Sequence, residues 1–357
     1  MRRAVAVLIC LINGMMAFGE DIAWPALPKS DAAITIPAQT HPRFPSPRSV
    51  QIYVRYPKGA IEGVTPETGI LLSLHNWGGT KFIGAPDPAR LVDRYNLVVI
   101  GVDYLQSGKW DPAIGVPYDF GVYQAVDALR ALQCVVSGLR HSGIKFDESR
   151  IYSTGGSGGG NVTLMANKLA PRTFACVIDI SGMARLSDDI AYGDPAGSEL
   201  NAGYSREPDS PNLLTAGAKE LRDLGHTSHL ARMRALGGDA RVVILHGAGD
   251  NVCPTGEKRV LVQRFMDAGY RVAAWFPDID DIDGKRVKGI GHGDIGDRTD
   301  LLIDVADAYL NPTSPEVCRR EYVMDFDRGS CIQYEVHGGT YVIHFDGAVR
   351  VEFVSTD

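Results

Sequence analysis

The sequence predicts an α/β fold: a mostly parallel sheet flanked by helices, with a cap insertion and a small C-terminal antiparallel β-meander. From about residue 49, short apolar runs alternate with amphipathic stretches, which is typical of strands that alternate with helices. A glycine-crowded turn at residues 155–159 joins one such run to a helix-like stretch. From Glu321 onward, apolar and polar residues alternate in short runs, which indicates antiparallel strands.

The predicted elements follow from the period of the apolar residues. Strands are predicted at Val50–Tyr56, Ile70–Leu74, Leu97–Val102, Arg150–Ser153, Phe174–Ile180, Val242–Leu245 and Val272–Phe276. One helix is predicted where apolar residues recur at helical spacing, at Tyr123, Val126, Leu129, Leu132 and Val136. Further helices are predicted over about 161–170, 256–268 and 299–310.

Three segments depart from this alternation around a main domain at 50–312. Residues 20–49 are rich in proline and predict an extended, poorly regular lead-in. Residues 183–239 are too long for a simple crossover, so we expect a cap with two short helices over the C-terminal edge of the sheet. Residues 313–357 contain a meander of about four strands with hairpin turns at Gly338-Gly339 and Asp346-Gly347. The meander is either a separate module or an edge that covers the main domain.

Charge and hydropathy narrow the possible partners and location. The net charge is −7 and no long basic run occurs, which argues against a nucleic-acid partner. Residues 1–19, with Arg2-Arg3 before an apolar run, are typical of a signal peptide, an N-terminal anchor being the alternative. Beyond them, no run approaches the roughly 20 apolar residues of a membrane span. We therefore expect a secreted or periplasmic protein.

Five cysteines lie beyond the signal segment, an odd number that excludes complete pairing. Cys134 and Cys176 fall in a predicted helix and strand and are expected in the core. Cys318 and Cys331 are close in sequence and form the candidate disulfide of an exported protein. No CxxC spacing occurs, which argues against a zinc site. Neither a metal nor a cofactor is predicted.

Ser157 is the candidate nucleophile, at the apex of the glycine-crowded turn. A sharp strand-to-helix turn holds such a serine in a sparsely populated backbone conformation, and neighbouring side chains would collide there. The glycines two residues before and after Ser157 remove that collision. The helix that begins at the serine directs free N–H groups toward an oxyanion formed at its hydroxyl.

A serine hydroxyl needs a base to take its proton and a carboxylate to orient that base. Asp250, in a polar loop after the strand 242–245, is the candidate carboxylate, or else the cap of the next helix. Asp103 is its weaker rival. His292, between two glycines after the last predicted strand, is the candidate base, or else a solvated loop residue. The rival bases are His246 and His75, which would otherwise orient loops by hydrogen bonding.

Two N–H groups are candidate donors to the oxyanion. One belongs to Gly158, directly after the nucleophile, and the second to Trp77 in the early loop 75–80, with Asn76 as the alternative. Asn76, Tyr104 and Trp110 are candidate pocket residues near the same edge of the sheet. Core positions are the equally weighted alternative for the aromatic residues.

Together, the segments 75–79 and 155–159 and the loops of Asp250 and His292 resemble the α/β-hydrolase superfamily over about residues 50–310. The branch that looks most similar contains dienelactone hydrolases, secreted esterases of the feruloyl-esterase type and prolyl-oligopeptidase-like enzymes. The resemblance implies a Ser157–His292–Asp250 triad and acyl-enzyme chemistry. Two features depart from it: Gly158 stands where peptidase relatives usually carry an aromatic residue, and the C-terminal meander lies outside the family pattern.

We therefore expect a secreted serine hydrolase that cleaves a carboxylic ester, on a small molecule or attached to a polymer. One alternative is a serine peptidase or amidase with the same triad. The other is a non-catalytic protein that binds a glycan or a surface with a degenerate hydrolase fold.

Overall fold

A computed structural model describes residues 22–108, 110, 115–194 and 197–356, so the predicted signal peptide at 1–19 lies outside the described residues. The main sheet consists of β1 (Ala32–Pro37), β2 (Ser49–Arg55), β3 (Gly69–Leu74), β4 (Leu97–Val102), β5 (Ile151–Gly156), β6 (Cys176–Ile180), β7 (Arg241–Leu245) and β8 (Val272–Trp275). Their order is β1-β2-β4-β3-β5-β6-β7-β8. The pairs β1–β2 and β2–β4 are antiparallel, and the other pairs of neighbouring strands in this sheet are parallel.

All seven predicted strands are confirmed, with ends displaced by three residues at most. The irregular lead-in predicted at 20–49 is wrong in one part, because β1 lies within it. Ile36 of β1 is buried, and the whole strand pairs with β2 in register from Ala32↔Val54 to Pro37↔Ser49. A proline is tolerated at the end of this strand because β1 is the edge of the sheet.

The helices are α1 (Pro88–Tyr95), α2 (Val122–His141), α3 (Gly158–Leu169), α4 (Asp188–Tyr192), α5 (Ala216–Leu221), α6 (Thr227–Ala235), α7 (Thr255–Asp267) and α8 (Arg298–Leu310). The four predicted outside the cap correspond to α2, α3, α7 and α8. Sequence analysis missed α1, although its start carries a strong signal. The carboxylate of Asp87 accepts the N–H of Ala89 at 2.9 Å, and Pro88 occupies the first helical position.

The helices cover both faces of the sheet, as a buried parallel sheet requires. Residues of α2, α3, α6 and α7 pack in one apolar cluster, and residues of α1 and α8 pack in a second cluster on the opposite face. Among the described residues, no helix is long and apolar enough to cross a membrane.

In its described residues, the cap contains three short helices, α4, α5 and α6, where two were predicted. Its first part contributes Met183, Leu186 and Ile190 to a third apolar cluster that also includes Cys253 and several aromatic residues. Its last helix, α6, packs against α3 in the main core. The segment therefore covers the sheet edge with its first part and one flank of the domain with its second.

The C-terminal meander has three strands, β9 (Ile332–Val336), β10 (Gly339–His344) and β11 (Arg350–Ser355), in the order β11-β10-β9. The prediction of about four strands is wrong because the first alternating run, at Tyr322, Met324 and Phe326, does not form a strand. The buried Asp325 pairs with Arg172 at 2.6 Å and accepts the Thr173 hydroxyl at 3.0 Å. The first hairpin turn is also one residue earlier than predicted, because Gly339 pairs with Val336.

The meander packs on the main domain. Ile332 and Ile343 belong to the same apolar cluster as α2, and Tyr334 donates its hydroxyl to the carbonyl of Lys168 in α3. Of the two arrangements left open above, the structure has the one in which the meander covers the main domain.

The cysteine pairing suggested by the sequence is wrong. No disulfide joins Cys318 to Cys331 in the described part of the chain. Cys318 is buried and shares a hydrogen bond with the thiol of Cys176 in β6, whereas Cys331 is exposed. Cys134 and Cys176 are buried core residues, as expected.

Candidate active site

Ser157 lies between the last residue of β5 and the first residue of α3, at φ +54° and ψ −119°. This conformation is strained for a residue with a side chain. A Cβ on Gly155 would lie 2.3 Å from the carbonyl carbon of Gly159, and one on Gly159 would lie 2.1 Å from the carbonyl oxygen of Leu74. The turn therefore requires glycine at both positions, for the reason anticipated from the sequence.

The structure places three of the predicted side chains in a hydrogen-bonded series. Nε2 of His292 is 2.9 Å from Oγ of Ser157, and Nδ1 of His292 is 2.8 Å from Oδ2 of Asp250. A carboxylate accepts only, so Nδ1 carries the proton and Nε2 presents its lone pair to the serine hydroxyl. Asp250 is fully buried, while the His292 side chain is 17% exposed at the open side of the site.

The acid and histidine loops meet because glycine lets them approach. The N–H of Gly249 donates to the carbonyl of Ile290 at 3.0 Å. A Cβ on Gly247 would lie 2.2 Å from that same oxygen. On the histidine side, Asp294 accepts the N–H of Gly291 at 2.8 Å and braces the loop. These contacts fix the position of the imidazole relative to the carboxylate.

His246, a rival base in the sequence, lies behind the carboxylate. Its Nε2 donates to the carbonyl of Cys253 at 2.7 Å and lies 3.4 Å from Oδ2 of Asp250. Asp250 in turn accepts the N–H of Cys253 at 2.8 Å. Burial lowers the pKa of His246 to about 4, so the ring is neutral and orients the Asp250 loop.

His75 and Asp103 also hold loops. Nδ1 of His75 donates to the carbonyl of Asn76 at 2.7 Å, and Nε2 accepts the Ser107 hydroxyl at 2.6 Å. Burial lowers the pKa of His75 to about 4. Asp103 accepts the Tyr53 hydroxyl at 2.7 Å and the N–H of Lys81 at 2.6 Å. Through these contacts, both residues stabilise the loops that follow β3 and β4.

The two candidate oxyanion donors lie side by side. A Cβ on Gly158 would lie 2.7 Å from the backbone nitrogen of Trp77. The N–H of Asn76, the alternative donor, is occupied by the carbonyl of Ile83 at 2.9 Å. Of the two early-loop candidates, the geometry therefore favours Trp77.

The three predicted pocket residues have different surroundings. Trp110 packs edge-on against Trp77 at 5.6 Å and against Tyr118 at 5.3 Å, and Trp77 stacks on Tyr118 at 3.7 Å. Tyr104 is a core residue, since it is buried and its ring stacks on that of His75 at 4.0 Å. Asn76 is half-buried beside Trp77, and its Oδ1 lacks a hydrogen-bond partner among the described residues.

Sequence analysis missed two cations near this edge. Arg298, at the start of α8, donates to the carbonyl of Gly84, and a Cβ on Gly156 would lie 2.6 Å from its Nη1. Lys258 of α7 forms a buried ion pair with Asp179 of β6 at 2.5 Å. Neither residue lies in a recognisable motif, and only the packing of distant elements brings them behind the site.

Asp250, Cys253 and His292 offer ligand atoms within 4.8 Å of one another. Two of these groups are already engaged with each other, and burial raises the pKa of the Cys253 thiol well above its ordinary value. A protonated thiol is a poor metal ligand. The donor set therefore fits a proton relay better than a metal centre.

Comparison with known proteins adds a family and a set of relatives. The model of a family described as "Protein of unknown function (DUF2920)" matches residues 103–304. Feruloyl esterase B of Thermothelomyces thermophilus is 28% identical over 213 residues, which cover 58% of this chain and 66% of that protein. The match thus spans just under two thirds of the esterase.

Solved structures with similar folds include peptidases. The acylaminoacyl peptidase of Pyrococcus horikoshii matches 80% of this chain and 43% of its own, at a TM-score of 0.54 and 17% identity. A puromycin-hydrolyzing peptidase of Mycobacterium tuberculosis matches 76% of this chain and 37% of its own chain, at a TM-score of 0.51 and 21% identity. This chain thus spans less than half the length of these peptidases.

These matches confirm the predicted α/β-hydrolase fold. At 17% and 21% identity, the peptidase structures show the fold alone.

Proposed function

The chain belongs to the DUF2920 family, and we propose that it is a serine hydrolase that cleaves a carboxylic ester through an acyl-enzyme on Ser157. The observation that carries this proposal is the series Asp250–His292–Ser157, with hydrogen bonds of 2.8 and 2.9 Å at the start of α3. Nucleophile, base and orienting carboxylate in mutual contact are what acyl transfer to a serine requires.

The proposed reaction has two halves. Nε2 of His292 takes the Ser157 proton as Oγ attacks the ester carbonyl, and Asp250 stabilises the imidazolium that forms. The N–H groups of Gly158 and Trp77 receive the oxyanion. The imidazolium then gives its proton to the leaving alcohol, and a water activated by His292 releases the acid. The hydroxyl, the imidazole and the carboxylate return to their starting states.

An ester is preferred over an amide on two grounds. The relative at 28% identity is named an esterase, and Gly158 stands where peptidase relatives usually carry an aromatic residue. The alternative, a peptidase or amidase on the same three side chains, is favoured by the names of the structural neighbours. A p-nitrophenyl ester series and the matching anilides separate the two. Faster turnover of the anilides would overturn the ester assignment.

Covalent labelling tests the nucleophile directly. A fluorophosphonate probe should label the folded protein at Ser157, because only an activated serine attacks phosphorus at a useful rate. Ser181 provides a matched control. It lies at the end of β6, is buried and has the same φ of +54°, but its Oγ lacks a hydrogen-bond partner among the described residues. Labelling that persists in Ser157→Ala would assign the nucleophile to another residue. Absence of labelling from the folded wild type would favour the non-catalytic binding alternative.

We further propose that the chain is exported by the signal peptide at 1–19. The basic pair, the apolar run and the small residues Ala17 and Gly19 support this. N-terminal sequencing of the mature protein should begin near Glu20, whereas an uncleaved, membrane-bound product would indicate an anchor.

A further inference from the structure

One cavity of the molecule lies outside the series of Ser157, His292 and Asp250. It has a volume of about 240 Å³ and is enclosed by the lead-in, the loop 116–119, α2 and the cap. The polar side chains that line it are His41, Arg43, Asp119, Tyr123, Tyr204, Asn212 and Arg222. Distant parts of the chain thus converge on one concave site.

The cavity carries excess positive charge. Arg43 donates to the carbonyls of Pro211 at 2.9 Å and Gly115 at 2.6 Å and to the amide oxygen of Asn212 at 2.5 Å. All three acceptors are uncharged, and no ion pair of Arg43 occurs among the described residues. At the rim of the cavity, the positive charge of this guanidinium is therefore not neutralised by a carboxylate of the described residues.

Deeper in the cavity, Arg222 is nearly buried and lies 3.4 Å from its carboxylate partner Asp119. It also hydrogen-bonds Tyr341 of β10, so the meander supports this side of the cavity. One carboxylate faces two arginines, and burial lowers the pKa of His41, which keeps that ring neutral at neutral pH. The lining is thus net positive by about one charge and suits one anionic group.

The remaining lining suits a hydroxylated ring. Tyr123 and Tyr204 offer phenol hydroxyls together with apolar ring faces, and Phe44 and Pro117 add apolar surface. The volume is just below the roughly 300–1,000 Å³ of typical small-molecule sites, so it holds one ring rather than a chain.

We propose that this cavity binds an acidic sugar, a hexuronate whose carboxylate pairs with Arg43 and Arg222 and whose ring lies between the tyrosines. The cavity shares a wall with the active site. Tyr118 stacks on Trp77 beside Ser157, while its neighbours Pro117 and Asp119 line the cavity. Binding requires no hydrolysis, so the proposal goes beyond the proposed function and stands or falls separately from it.

Calorimetric titration of the full-length mature protein in the Ser157→Ala background tests binding without turnover. Galacturonate should bind with a Kd on the order of 1 mM, and galactose at least about tenfold more weakly, since it lacks the carboxylate. Added salt should weaken galacturonate binding. Arg43→Gln should weaken it by about tenfold or more, whereas Arg232→Gln, in the separate cavity beside β9, should leave it unchanged.

Arg43→Gln also removes bonds to the 211–212 segment, so Tyr204→Phe provides a second variant that leaves those bonds in place. It should weaken galacturonate binding by several-fold with an unchanged melting temperature. The proposal is overturned if galacturonate does not bind at about 50 mM. It is equally overturned if galactose or benzoate binds as tightly, or if neither Arg43→Gln nor Tyr204→Phe changes the affinity.

Discussion

Polar groups are arranged differently in two regions of the molecule, the sheet edge that carries Ser157 and the face of α2 that carries the meander. At the sheet edge, Ser157 is strained at φ +54° and its hydroxyl points to a single imidazole. At the meander, Gln133 of α2 makes a reciprocal pair. Its amide donates to the carbonyl of Gly347 at 2.9 Å, and its oxygen accepts the N–H of Val349 at 3.1 Å.

The same reciprocal arrangement recurs at Gln39, whose amide donates to the carbonyl of Val351 at 2.6 Å and accepts its N–H at 2.9 Å. A side chain that both donates to and accepts from the same backbone segment holds that segment in one arrangement. The sheet edge instead keeps a lone pair and strained backbone in place for a substrate. The comparison predicts that substitutions at the two regions separate activity from stability.

Ser157→Ala should show the largest effect. We expect ester turnover to fall by about four orders of magnitude, because no other group supplies the nucleophile. The melting temperature should change little, since only the hydrogen bond to His292 is lost. Steady-state assays with a p-nitrophenyl ester and a thermal melt measure the two quantities.

Ser181→Ala is the matched control for this variant. It removes a hydroxyl from the neighbouring strand end at the same backbone φ, and among the described residues this hydroxyl makes no hydrogen bond to His292. Its turnover should remain within a few-fold of wild type. Equal losses in the two variants would show that the edge of the sheet, rather than one hydroxyl, carries the activity.

Acid should destabilise the meander face through a buried histidine. His229 of α6 donates to the carbonyl of Glu335 in β9 at 3.1 Å, and burial lowers its pKa to about 3. The unfolded chain binds the proton near pH 6.5, so protonation favours unfolding. The contribution of neutral His229 to the free energy of unfolding is fully present above about pH 6.5. It is lost as the pH falls toward 3, by about 1.4 kcal/mol per pH unit.

The variant His229→Gln keeps a donor for Glu335 and removes the titration. Between pH 6.5 and 5, wild type should lose about 2 kcal/mol of unfolding free energy more than the variant does. Urea denaturation at the two pH values measures this difference. The exposed His337→Gln should behave as wild type. Equal losses of unfolding free energy in wild type and His229→Gln would contradict the proposal that the buried His229 causes the acid sensitivity.

The same contrast separates what the sequence reveals from what it does not. The turn around Ser157 is local, since strand, glycines and helix lie within about 20 residues, and the sequence predicts it closely. Asp250 and His292 follow from chain order and from strands that end at one edge. Their mutual contact depends on the approach of Gly247 to Ile290, which no periodicity encodes.

The meander shows more plainly what a single sequence does not predict. Strand alternation predicts β9, β10 and β11, but their docking joins residues more than 200 positions apart, such as Gln133 and Gly347. The strand expected at Tyr322, Met324 and Phe326 does not form, because the buried pair of Asp325 and Arg172 outweighs a local preference for extended structure. Long-range polar contacts of this kind have no signal in a single sequence.

Gln133→Ala should have the smallest effect and the opposite character to Ser157→Ala. Removal of the side chain leaves a carbonyl and an N–H of the meander without partners, which costs about 1–3 kcal/mol when such groups are buried. Turnover should stay at the wild-type level because Gln133 lies on α2, outside the site. Urea denaturation of the variant measures the loss of unfolding free energy.

Gln263→Ala supplies the control for the same truncation on an exposed helix. Gln263 donates to Asp267 one turn away at 2.8 Å, and such surface pairs contribute only about 0.2–0.5 kcal/mol. The difference between the two variants isolates the reciprocal bonds from the loss of a glutamine side chain. If Gln133→Ala instead reduced turnover with stability unchanged, the meander would act on the site, and the division between a reactive edge and a stabilising face would fail.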